Sequence, residues 1–343
     1  NQTPIRDSGY GALPEARFKE EMQVSGDVRT AVLTTSGREK WDQWRMQNIT
    51  NAVARFSDVL RSAHPDVIIS ADVVGNITSA RATYMQDWLT WVRRGYIDLL
   101  CPMIYTGSSD MVFDLSQTIF NSMGNLSFLT SGIAPIYYGH STMANFNQVL
   151  AGGVFGGQAI FASQNVIGLQ DVEDSLRYGA FREEAVSLFT RPNIAMPIML
   201  TYLAEYIHTF AEDDLGKNTF LEKLDAITNI SFSNAKEFED GIQELELLNL
   251  LTYYLQDEAL RDVLQTEIER IQHYLDVWVS RDLIRLGYYD PATQTRPKAS
   301  EFTYPVVEEP TDPTEPTDPL DPTEPEDSVK KGCLKSQVAI LSS

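Results

Sequence analysis

Cysteine is nearly absent from the 343 residues: Cys101 sits inside an apolar run and Cys333 in a polar tail. Contexts so different do not suit a native pair, which excludes a disulfide framework and leaves the redox compartment unwritten. Long apolar runs are missing as well: none reaches ten residues, against about 20 for a membrane-spanning helix, so no transmembrane segment is expected. Positive charge is scarce, with 27 Lys and Arg against 48 Asp and Glu for a net charge of -21. No basic cluster exceeds Arg93-Arg94 or Lys330-Lys331; a phosphate backbone needs clustered cations, so nucleic acid is not an expected partner. No glycine-rich phosphate loop follows an apolar run, no Gly-x-Ser-x-Gly elbow occurs, and His64, His140, His208 and His273 lack metal-ligand spacing. Nucleotide, serine-hydrolase and metal chemistry therefore find no support, and neither a metal nor a cofactor is expected. Asn1 is preceded by no initiator Met and followed by no basic-then-apolar leader, so the chain reads as starting inside something longer.

What is present is globular. The 43% apolar and 10% aromatic residues suit a folded chain of about two domains and a tail. Four short apolar runs begin near Val67, Ile97, Phe128 and Gly157 at intervals of 30, 31 and 29 residues. Each is continuous rather than alternating, as a parallel strand covered on both faces is. Helical patterns fill the gaps. Over 38–63, Ile49, Val53, Phe56 and Leu60 share a helical face, with Ser36 as N-cap and Pro65 as a stop. A barrel of roughly 250 residues and eight βα units spends about 31 residues per unit. The expectation is therefore an α/β fold, a partial TIM (β/α) barrel of four units over 1–191.

From Pro192 the texture changes. Leu260, Leu264, Ile268, Ile271, Leu275 and Trp278 step by three or four residues, which predicts an acidic helical hairpin or small bundle over 192–290. The remainder, 291–343, carries repeated Thr-Asp-Pro and Thr-Glu-Pro and nine acids without a base between 305 and 328. Such segments repel themselves and stay extended, so a disordered Thr/Pro/acidic stalk is expected there. Lys330-Lys331-Gly332-Cys333 and the brief Val338–Leu341 after it are where a lost C-terminal anchor would begin.

Several linked features resemble a known family. They are Trp41-Asp42-Gln43-Trp44-Arg45 with Asn48-Ile49, His64-Pro65-Asp66 running into Val67–Ser70, Gln86-Asp87-Trp88, and Gly95-Tyr96-Ile97-Asp98 running into Cys101–Tyr105. In order and spacing they are similar to the second half of a glycosyl hydrolase-like family 10 domain, over residues 8–190. Tyr10-Gly11 and Ala16-Arg17-Phe18 resemble the segment after that family's fourth strand, where an Asp-Tyr-Ile-Arg-Tyr-Pro kind of motif sits; that strand and the three before it are absent here. The resemblance implies a TIM barrel, a parent that hydrolyses O-glycosyl bonds with paired carboxylates, and bacterial cell-envelope glycans, peptidoglycan among them, as substrate. It implies an extracellular or cell-wall location. Half a barrel leaves edges of unpaired backbone groups and is expected to be unstable or to dimerise, and inactive alone.

Barrel chemistry lies at the C-terminal ends of strands. Asp72 is the carboxylate at such a position, and is the candidate catalytic residue; the bland alternative is a loop Asp that caps the next helix, in the neighbourhood of Asn76 and Thr78. Tyr105, Tyr137, Tyr138 and Gln164 end the following strands and are the candidate substrate-binding residues, with alternation allowing only one of Tyr137 and Tyr138 to point inward. Asp98 begins its strand and is expected to be structural, Asp87 to bond a neighbouring loop, and Trp41, Trp44, Trp88 and Trp91 to anchor helices. Two functions stay open: a glycoside hydrolase, and a non-catalytic surface protein that binds glycan or spaces a partner from the wall.

Overall fold

A computed structural model describes residues 8–182, 185–212 and 215–304. The expected stalk and terminal remnant over 305–343 lie outside the described residues. Four strands, β1 Ser70–Val74, β2 Leu99–Met103, β3 Phe128–Ile133 and β4 Gly157–Ile160, form one parallel sheet in the order β1-β2-β3-β4. Each strand lies beside its sequence neighbour because a helix carries the chain back between them, which parallel pairing requires.

Register divides the residues between two faces. Ser70 pairs with Leu99 and Leu99 with Phe128, and Asp72 pairs with Cys101. Successive side chains alternate, so Ser70, Asp72, Leu99, Cys101 and Phe128 share what we call the inner face, and Val73, Leu100, Leu129 and Ile133 share the outer one. The outer face is dry: it packs against Trp88, Trp91, Val112, Ile119 and Val149. Those side chains come from α5 Trp88–Arg93, α6 Ser109–Met123 and α7 Thr142–Gly153. α3 Thr35–Ala63, α4 Ile77–Tyr84 and α8 Gln170–Ser175 complete that layer. At the front of the chain, α1 Ala12–Glu21 and α2 Val28–Ala31 enclose Phe18, Val28, Trp41 and Trp44 in a separate small core.

Two expectations about α3 are corrected. Its N-cap is Thr34, whose hydroxyl accepts from the Gly37 N–H, and not Ser36. Its apolar positions do not all face one way: Val53 and Leu60 pack on the sheet's core, whereas Ile49 is 36% and Phe56 61% exposed. The buried face instead runs through Trp41, Trp44, Thr50 and Ser57, where Thr50 accepts from the Trp91 indole.

The helical region is four helices: α9 Pro192–Phe210, α10 Leu215–Thr228, α11 Ala235–Leu251 and α12 Glu258–Arg285. It is not separate from the sheet. Leu99, Cys101 and Phe128 of the inner face join the core of these helices, and the Phe128 ring lies 5.8 Å from Trp278 and 6.0 Å from Tyr274. These helices thus cover the inner face at Leu99, Cys101 and Phe128, whereas Ser70 and Asp72 of β1 stay exposed. Residues 291–304, assigned to the tail from sequence, are packed instead. Ala299 is fully buried, its N–H donates to Glu239, and Phe302 stacks on Tyr288 at 4.3 Å. Pro and charge in this stretch hid its packing, because two aromatics, Phe302 and Tyr304, supply the contacts, both against Tyr288.

The joint between layers is tight at Gly95, which has φ +66 and whose Cβ, were there one, would lie 2.6 Å from Ile284 Cγ2. Gly95→Ala is expected to cost about 1–3 kcal/mol from overpacking and backbone strain together, read as a lower urea midpoint. An unchanged midpoint would show that α12 yields freely at this point.

Candidate active site

Asp72 is the one carboxylate within the four strands. It stands exposed on the inner face of β1, beyond the reach of the helical cover. The alternative as a helix cap does not hold: Asn76 takes that role, accepting from the Ser79 N–H at the start of α4. Across the sheet, Cys101 is its register partner and its thiol donates a hydrogen bond to the carboxylate. Partial burial raises the Asp72 carboxyl above the usual carboxylate range, with the Cys101 bond acting against it. Burial, then the Asp72 charge, pushes the thiol up to about 12, so Cys101 stays protonated and remains a donor.

Tyr105 follows β2, and burial followed by the charge of Asp72 raises its phenol. Its ring lies 6.1 Å from Tyr138 and 5.7 Å from Phe161, while Tyr137 lies 5.1 Å from Tyr138 and 5.3 Å from Phe161. Four rings therefore form a cup at the C-terminal ends of β2, β3 and β4, with Asp72 beside it. The expectation that only one of Tyr137 and Tyr138 faces inward fails for a local reason. β3 ends at Ile133, and the chain then turns, with Tyr138 N–H donating to Ala134 and Gly139 N–H to Ile136; strand alternation no longer applies. Gln164 is exposed in the 3₁₀ turn Ser163–Asn165, one turn past Phe161 and outside the ring cluster.

Phe161 and Cys101 are the members that inspection of single residues missed. A signal existed. Strand starts repeat every 29–31 residues, so Asp72 and Cys101, 29 apart, fall in one row of the sheet. Beside the cup, between the ends of β1 and β2 and helices α4 and α6, lies a cleft of about 390 Å³ that shares Tyr105 and is lined by Ser79, Thr83, Tyr84 and Thr106 without a charged side chain.

At the other end of the strands the chemistry is structural. Asp98 is buried, its Oδ1 accepting from Arg61 at 2.8 Å and Arg281 at 3.0 Å and its Oδ2 from the Ile69 N–H at 2.8 Å. Asp87 accepts from Arg81 and Thr90 and so ties α4 to α5. All four of Trp41, Trp44, Trp88 and Trp91 are buried.

An exposed carboxylate beside a cluster of tilted and edge-on aromatic rings at the strand ends is what the comparisons with known proteins bear on. Residues 9–122 match the family described as Glycosyl hydrolase-like 10. The glycosyl hydrolase-like resemblance read from the sequence is shown over that span, which runs from α1 through nearly all of α6 and includes Asp72 and Tyr105. Tyr137, Tyr138, Phe161 and the helices α9–α12 lie beyond it. No curated protein and no solved structure matches the chain. Among the described residues, no helix is long and apolar enough to cross a membrane.

Proposed function

We propose that this chain carries part of the glycan site of a glycoside hydrolase-like protein of the bacterial cell surface, and that its sheet represents four units of a (β/α) barrel. The order β1-β2-β3-β4 supports the barrel assignment: an open doubly wound sheet reverses its strand order at a switch point, and this sheet does not. The observation that carries the functional reading is the placement of Asp72 beside the aromatic cup at the C-terminal strand ends. Sugar rings present apolar faces and hydroxyl edges; phenol rings stack on the first and bond the second. Tyr105, Tyr137, Tyr138 and Phe161 form the platform, Gln164 flanks it with an amide, and Asp72 is the catalytic carboxylate. Its raised pKa suits a group that must hold a proton for the leaving oxygen. Envelope glycan, peptidoglycan among its forms, is the proposed substrate, with an anchor lost or located beyond residue 343 as a further part of that proposal.

One observation favours a second reading, glycan binding without turnover: hydrolysis uses two carboxyl groups, and the four strands hold only Asp72. Incubation with purified peptidoglycan separates the two. Retention with release of reducing ends supports the hydrolase; retention alone supports the binder. In either case Tyr105→Ala, which removes the ring shared by cup and cleft, is expected to weaken retention about 10-fold, the effect of one lost stacking contact of ~1–1.5 kcal/mol. No retention by the wild-type chain would sink both readings.

A further inference from the structure

The cleft between α4 and α6 begins just past the row of the sheet that holds Asp72. On β1 and β2 the register pair Val74–Met103 stands two residues beyond Asp72–Cys101, or about 7 Å along the strands at ~3.3 Å per residue. Val74 and Met103 both line the cleft, as does Tyr105, whose phenol feels the charge of Asp72. A ligand held against Asp72 and the Tyr105 ring therefore reaches into this space with its next few atoms. The walls come from two consecutive units, β1 with α4 and β2 with α6.

The lining has two textures. Met103, Met111 and Leu115 supply an apolar side, and thioethers adapt well to a small irregular group. From α4 come Ser79, Thr83 and Tyr84, and among the described residues none of their three hydroxyls bonds a protein partner. The contrast with other helical threonines is direct. Thr118, Thr201, Thr219 and Thr266 each donate to the carbonyl four residues back, an ordinary outlet for a hydroxyl on a helix. Thr83 does not use it, so its hydroxyl is left for whatever enters the cleft.

Charge narrows the choice of ligand. No charged side chain lines the space, and a carboxylate or an ammonium placed there would shed water without gaining a counter-charge. Unspent hydroxyls call for an uncharged partner that both donates and accepts; the methionines and Leu115 call for a small apolar group beside it. An N-acetylated sugar carries both, ring hydroxyls and an amide that ends in a methyl group. The volume of about 390 Å³ lies at the low end of the ~300–1,000 Å³ usual for small-ligand sites, which suits a short piece of glycan rather than a long run.

We propose that this cleft is a second subsite, next to the bond that Asp72 serves, and that it takes an uncharged N-acetylated sugar residue while rejecting acidic and cationic ones. The proposal rests on the glycan reading above and adds a specificity to it. Tyr105 is the hinge between the two subsites: one sugar stacks in the cup, and the next passes the phenol into the cleft, where the acetamido methyl lies on Met103 and Met111 and the amide meets Thr83.

Titration calorimetry of the full chain with tetramers of N-acetylglucosamine, glucose, glucosamine and galacturonic acid tests this. The N-acetylglucosamine tetramer is expected to bind tightest, the glucose tetramer about 10-fold more weakly for want of the methyl contact, and both charged tetramers more weakly still. Thr83→Val, which keeps the shape and removes the hydroxyl, is expected to weaken the N-acetylglucosamine tetramer about 5-fold. Thr83→Lys is expected to reverse the ranking of the N-acetylglucosamine and galacturonic acid tetramers with an unchanged circular dichroism spectrum, a gain that mere damage to the fold does not produce. A chain that retains peptidoglycan yet binds the four tetramers alike, or binds none of them, overturns the subsite and leaves the glycan reading standing; so does a wild-type ranking that neither Thr83 variant alters. A chain that retains no peptidoglycan and binds no tetramer loses both.

Discussion

Asp98→Ala is expected to destabilise the fold by about 3–5 kcal/mol, the cost of leaving buried charge without its partner. Asp98 is 3% exposed and joins three parts of the chain: Arg61 at the end of α3, Arg281 on α12 and the Ile69 N–H ahead of β1. Removing it strands Arg281, which is 2% exposed and lies 4.5 Å from the Trp278 ring and 5.9 Å from Phe128. Its Nε is the atom that donates to Asp98, while among the described residues its buried Nη1 and Nη2 find no acceptor, and burial already lowers its pKa against the pull of Asp98. Arg281→Met removes the buried cation itself while keeping the contact with both rings, so it is expected to cost less than Asp98→Ala. Urea unfolding of the two variants decides this: a cost below ~1 kcal/mol for Asp98→Ala, or the reverse ranking, would mean that water reaches the cluster and that α12 is held to the sheet by apolar contact alone.

The same residues show what the sequence could and could not disclose. The four strands were legible because continuous apolar runs at 29–31-residue intervals have few explanations other than buried parallel strands joined by helices. Asp98 was legible as structural because it begins such a run, at the end of the sheet remote from the chemistry. α12 was legible as a helix from its Leu and Ile steps, but its docking on Phe128 was not: periodicity reports that a helix has an apolar face and says nothing of what meets it. α3 shows the same limit from the other side. Ile49 and Phe56 fit the period as well as Val53 and Leu60 do, yet only the latter two reach the core, because the apolar arc of the helix is wider than the sheet can cover. At the site, Asp72 and Tyr105 could be placed by counting to strand ends. The pairing of Tyr137 with Tyr138 in one cup could not, because it depends on where β3 stops and a turn begins, and one residue of error in that boundary reverses the inference.

Asp72→Asn is expected to act on activity and stability in opposite directions. If Asp72 supplies or takes the proton in glycan cleavage, its loss should lower turnover about 10²–10⁴-fold, the usual contribution of general acid–base catalysis. Stability follows from the direction of its pKa shift. Burial raises the carboxyl in the folded state, so the folded chain holds that proton more tightly than the unfolded chain does. The stabilisation this gives is full below the ordinary carboxylate range and is lost as pH rises through the raised folded value. Asparagine carries no charge at any pH and escapes the loss. Melting temperatures of wild type and variant should therefore coincide in acid and separate as pH approaches neutrality, with Asp72→Asn the more stable. Cys101→Ala tests the cause from across the sheet: removing the thiol that donates to the carboxylate should raise the Asp72 pKa further, visible as a shift of its carboxyl ¹³C titration to higher pH. An Asp72→Asn protein that melts lower than wild type at neutral pH and keeps its turnover would make Asp72 an edge residue that holds β1 in place, and the catalytic carboxylate would have to be sought outside the four strands.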